Sequence, residues 1–146
     1  MIIIGADPDI ETICGRIKRK IYDLEPDFQR DEVWSISKQQ KLIDSILRGW
    51  HIPPVHIVNV EGQDTFEVLD GKQRLLSIYN FYNEKFPFKS DPTTIIENSE
   101  TIEGKKFSQF PENWKAKFLR WPIKIFEVRD VNRDEATELF LRLNQQ

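Results

Sequence analysis

The sequence predicts a domain of mixed α and β structure, and three stretches predict it. Val55 to Val60 and Thr65 to Asp70 are short apolar runs around Glu61-Gly62-Gln63-Asp64, the pattern of a hairpin with a four-residue turn. Phe66 to Asp70 then alternates as a strand, breaks at Gly71, and resumes with helical spacing in Leu75, Leu76, Ile78, Tyr79 and Tyr82. Asn132 to Glu135 is an N-x-x-E capping signature, and behind it Ala136, Leu139, Phe140 and Leu143 fall on one helical face. At 146 residues, 39% hydrophobic and 12% aromatic, the chain is one domain's worth and can bury a real core.

The remaining elements follow in order. Asp7 and Pro8 read as an N-cap and first helical position, and Ile10, Ile13, Cys14 and Ile17 face inward behind them. Arg16, Lys18, Arg19 and Lys20 lead into an extended piece from Ile21 to Leu24. Glu25 to Trp34 reads as a loop pinned by Phe28 and Trp34, which leaves Gln29 and Arg30 as polar groups on an anchored segment. Ser37 to Gln40 is an S-x-x-Q capping box for a helix carrying Leu42, Ile43, Ile46 and Leu47, with Gly49 as its stop. Phe86 and Phe88 cover a core edge, and a short strand is expected within Thr93 to Thr101. Pro111 to Arg120 reads as a helix bearing Trp114 and Phe118, and Pro122 to Val128 as a strand. The last helix runs nearly to Gln146 with no stop signal, so the domain is expected to be the N-terminal part of a longer protein.

Composition excludes several classes. A net charge of -3 argues against a protein that coats nucleic acid with its whole surface, while leaving room for a local basic face. Two such faces are candidates: Arg16, Lys18, Arg19 and Lys20, or Lys115, Lys117 and Arg120. The single cysteine, Cys14, permits no internal disulfide and no multi-cysteine zinc site, and fits a reducing, cytoplasmic setting. Met1 to Ile4 is too short for a signal or membrane segment. His56, with no second histidine at ligand spacing, reads as a surface or hydrogen-bonded strand residue.

The chemistry concentrates at the corner Asp70, Gly71, Lys72, Gln73 and Arg74. A helix start leaves backbone N–H groups unpaired and carries partial positive charge. Lys72 and Arg74 add full charges there, which makes a seat for phosphate. Gly71 permits a tight turn and close approach of a ligand. Asp70 can hold a metal ion or a water, or simply cap the helix. The same residues also fit an ordinary strand-to-helix connection with two solvated cations. No Walker A loop is present.

Five motifs in fixed order carry a resemblance: Phe28-Gln29-Arg30 with Trp34-Ser35, Leu42 to Leu47, Ile52-Pro53-Pro54, Asp70 to Leu75, and Phe140 to Asn144. The chain resembles the ParB/sulfiredoxin-like N-terminal domain of the GmrSD family, modification-dependent restriction enzymes and their phage-defence relatives. The resemblance implies an α+β fold, with a small mixed β-sheet packed with several helices. It implies an NTP-binding and NTP-hydrolysing site on a D-G-Q-Q-R motif, here Asp70, Gly71, Lys72, Gln73 and Arg74. Lys72 replaces the usual glutamine. By the same resemblance, Gln29 and Arg30 and the R-L-N run Arg142, Leu143 and Asn144 face that cleft.

These expectations give each residue a role. Asp70, Arg74 and Gln73 are the catalytic candidates, with Asp70 as the metal candidate. Gly71, Lys72, Arg74, Arg30, Gln29 and Asn144 bind nucleotide, with NTP and Mg²⁺ as cofactors. The expected partners are nucleotide, DNA, and a C-terminal nuclease domain or partner subunit, with no membrane. The leading function is an NTPase domain that regulates DNA cleavage. A ParB-like DNA-binding or adaptor module, in which nucleotide is only a switch, and a ParB-like nuclease remain as alternatives.

Overall fold

The computed structural model describes residues 1–25, 33–93 and 96–144. Its strands are β1 (Ile2–Ala6), β2 (Tyr22–Asp23), β3 (Val55–Val60), β4 (Phe66–Asp70) and β5 (Ile125–Val131). Its helices are α1 (Ile10–Lys18), α2 (Ile36–Leu47), α3 (Lys72–Tyr82), α4 (Glu112–Leu119) and α5 (Arg133–Leu143), with short 3₁₀ turns at Ser99–Thr101 and Phe107–Gln109. The strands form one mixed sheet in the order β1-β5-β3-β4-β2. β3 and β4 are the antiparallel hairpin, β5 lies parallel to β3, and β1 closes the far side antiparallel to β5. The fold is α+β, with a small mixed sheet and several helices, as expected.

Strand alternation divides the core in two. Val55, Ile57, Phe66, Val68 and Ile125 face the larger cluster with the apolar stripes of α1, α2, α3 and α4. Val58, Leu69, Val128 and Val131 face the other side, where α5 brings Ala136, Leu139, Phe140 and Leu143. In the larger cluster Phe81 is ringed by Phe86, Phe107, Phe110 and Phe118 at centroid distances of 5.3–6.0 Å. Edge-on and tilted aromatic pairs of this kind add to simple burial.

Several expectations need correction. The N-cap of α1 is Asp9, whose carboxylate accepts the Thr12 N–H at 2.8 Å, not Asp7. Asp7 instead pairs with Lys124 at 3.0 Å. The cap of α2 is Ser35, whose Oγ accepts the Lys38 N–H at 3.2 Å, not Ser37. In α3 the deepest side chains are Leu75, Ile78 and Phe81, while Tyr82 stays partly exposed against the Phe107 ring. Of Thr93 to Thr101, the described residues form no strand and end in a 3₁₀ turn. The first five residues after Met1 were not expected to pair, yet they form β1. The capping box at Asn132 and Glu135 is present with both reciprocal bonds.

Candidate functional site

The corner begins with a break in the β3–β4 ladder. Val58 pairs with Glu67 and Ile57 with Val68, but His56 pairs with Asp70. One step on β3 is therefore matched by two on β4, and Leu69 is the extra residue of a bulge. A bulge bends its strand and re-aims the side chains beside it. Here it brings the Asp70 carboxylate toward the His56 ring, with Oδ2 at 3.9 Å from Nδ1. Parallel pairing with β5 sets Phe126 beside His56, and their rings stack at 5.2 Å. Phe126, His56 and Asp70 thus lie in one row across three strands.

Gly71 follows at φ +100 and serves as the N-cap of α3 with no side-chain cap. Its position requires glycine twice over. The conformation is left-handed, and an added Cβ would stand 2.8 Å from Val55 Cγ2. Asp70 is therefore not the cap of this helix. The start of α3 offers the backbone N–H groups of its first turn beside the side chains of Lys72, Gln73 and Arg74.

Arg74 reaches back under the corner. Its Nη2 donates to the Pro54 carbonyl at 2.8 Å and lies 3.5 Å from Asp70 Oδ2. Burial pushes its basicity below the ordinary guanidinium value, and Asp70 opposes that shift. The His56 imidazole is likewise held below its ordinary value, mainly by burial, with Asp70 opposing. Gln73 uses Oε1 to accept the Trp34 N–H at 3.2 Å, which ties the chain before α2 to the start of α3.

The other expected site residues stand as follows. Gln29 and Arg30 lie outside the described residues. Asn144 ends α5 on the opposite face of the sheet from α3, with its amide donating to the Phe140 carbonyl at 2.8 Å. Arg142 is exposed and paired with Glu138 at 2.9 Å within the same helix. His56, read from sequence as an ordinary strand residue, belongs to the corner. The signal that could have found it is the hairpin register, which brings it level with the end of β4.

Among the described residues no three His, Cys, Asp or Glu side chains gather as a ligand set. A lone Asp70 carboxylate does suit Mg²⁺ that arrives with phosphates and keeps most of its water. Cys14 is buried on α1 and its thiol is pushed up to about 12, so it is no nucleophile. The expected basic faces are partly engaged: Arg16 donates to the Tyr22 hydroxyl at 2.7 Å, and Lys115 pairs with Glu112 at 3.6 Å. Among the described residues no helix is long and apolar enough to cross a membrane.

The model of the GmrSD restriction endonuclease N-terminal domain matches residues 10–146. No match was found among curated proteins or among solved structures. A match over nearly the whole chain, spanning both the corner at Asp70 and the Arg142 to Asn144 run, shows that this chain belongs to the GmrSD restriction endonuclease family as its N-terminal domain, and so to a restriction system.

Proposed function

We propose that this domain binds a nucleoside triphosphate at the Asp70–Arg74 corner, hydrolyses it, and thereby regulates DNA cleavage by a nuclease domain or partner subunit. The observation that carries the reading is the start of α3. It has no side-chain cap, it opens on a glycine that tolerates no Cβ, and it has Lys72 and Arg74 in its first turn. Such a turn supplies N–H donors and positive charge to an anion. Catalysis of phosphoryl transfer is mostly positioning and charge stabilisation, which these groups suit.

In this reading the first-turn amides and Lys72 hold the terminal phosphates. Arg74 adds charge from below, anchored through Pro54. Asp70 faces the phosphates with Mg²⁺ or the attacking water, and Gln73 keeps the segment at Trp34 against the site. Bound there, Mg²⁺ would supply charge neutralisation on the phosphate oxygens. The family resemblance would add Arg30 as a further charge against the phosphates, and Gln29 and Asn144 to orient the ligand or the water.

Calorimetric titration with GTP, ATP and CTP in the presence of Mg²⁺ tests the reading, wild type beside Arg74→Ala. At least one nucleotide should bind the wild type, and Arg74→Ala should weaken it about tenfold or more, the effect of losing one charge-assisted contact. A phosphate-release assay on the same proteins tests turnover. An Arg74→Ala protein that stays folded and binds like wild type removes the corner from the site.

A further inference from the structure

Two buried polar side-chain atoms among the described residues have no hydrogen-bond partner: His56 Nδ1 and Arg74 Nε. Buried orphans of this kind are uncommon in folded proteins and are destabilising unless something satisfies them. They belong to two side chains that flank the same carboxylate oxygen. Asp70 Oδ2 lies 3.9 Å from His56 Nδ1 and 3.5 Å from Arg74 Nη2. Charge-assisted N–H to carboxylate bonds close to about 2.7–2.9 Å, so neither contact is closed. The carboxylate sits between two nitrogens and is held tightly by neither.

The imidazole is well placed to be the fixed donor of the two. It stacks on Phe126 with 27° between the planes, and it sits on a strand paired on both sides rather than on a loop. The β4 bulge aims Asp70 at it. Arg74, by contrast, stands in the first turn of α3, where a phosphate would draw on its charge.

We propose that His56 is a positioning residue of this site, donating from Nδ1–H to Asp70 Oδ2 and holding that carboxylate in place when a bound polyphosphate engages the Arg74 guanidinium. The inference rests on the nucleotide reading. It assigns a role to a side chain outside the five motifs, and it explains why the bulge is where it is. The proton stays on Nδ1 throughout, so His56 acts through Asp70 and does not itself touch the phosphates.

The test separates the ring from its donor. His56→Phe keeps a ring against Phe126 and removes Nδ1–H. His56→Asn loses the ring and keeps an amide N–H near the Nδ1 position. With non-hydrolysable analogues of GTP, ATP and CTP plus Mg²⁺, His56→Phe should bind about tenfold more weakly than wild type, and His56→Asn should recover most of that loss. In the wild type, ¹⁵N NMR of the imidazoles should show the Nδ1–H tautomer of His56, with its proton moving downfield on addition of the analogue. The other histidine, His51, is identified by its loss in His51→Gln. Wild-type affinity in a folded His56→Phe protein, or an Nε2–H tautomer unchanged by the analogue, overturns the role of His56 while leaving the nucleotide reading intact. A wild type that binds no analogue, or an Arg74→Ala protein that binds normally, overturns both.

Discussion

At the residue scale, Gly71 decides whether the corner can exist. Its φ of +100 and the 2.8 Å approach of Val55 Cγ2 leave no room for a side chain. Gly71→Ala is expected to cost about 2 kcal/mol or more, from left-handed strain and from displacing Val55. The urea unfolding midpoint should fall with an unchanged slope, and the loss should vanish from the comparison if the variant keeps wild-type stability, in which case the β4–α3 turn is able to yield. Contiguity made this part of the site legible. Asp70, Gly71 and Arg74 are sequence neighbours, and a strand, a glycine and a helix in succession place them without long-range information. His56 was not legible, because its place depends on pairing across the hairpin. An unbroken register from the Glu61–Asp64 turn would set it opposite Leu69, and the bulge moves its partner to Asp70.

At the scale of elements, the pattern of apolar residues predicts most helices and strands, and long-range contacts set their ends. Asp7 and Asp9 could each start α1. The bridge between Asp9 and Pro122, and the bond from the Ile10 N–H to the Trp121 carbonyl, fix Asp9 as the cap. β1 was missed because three isoleucines in a row have no period of their own. It is an edge strand with Ile2, Ile3 and Ile4 about half exposed. At the end of α2 the pair Asp44–Arg48, closed at 2.6 Å, joins the helix to the segment that follows α3, since Asp44 also accepts the Asp91 N–H at 3.2 Å. Asp44→Ala should therefore cost about 2 kcal/mol, because Arg48 loses its closest ion pair and the Asp91 amide loses its acceptor. Thermal unfolding checks this, and a shift of less than a degree would mean that the Arg48 side chain finds new partners at no cost.

At the scale of the molecule, and among the described residues, the sheet carries α1 to α4 on one face and α5 on the other. The larger core holds the ring of phenylalanines around Phe81, whereas α5 rests on a strip with Ala136 as its fully buried residue. One bidentate pair, Arg133 to Glu67 at 2.7 and 3.2 Å, pins its first turn to β4. α3, packed in the larger core, and α5 therefore belong to different protection classes. Backbone amides of residues 137–143 should exchange with deuterium at least tenfold faster than those of residues 75–81, and the release should begin at the Leu143 end. Mass spectrometry of peptic fragments measures both. If a nucleotide at the corner also engages Asn144, its addition should slow exchange in α5 without any change in α4. The strip beneath α5 would then work as a latch, left loose by its small core and drawn shut by the ligand.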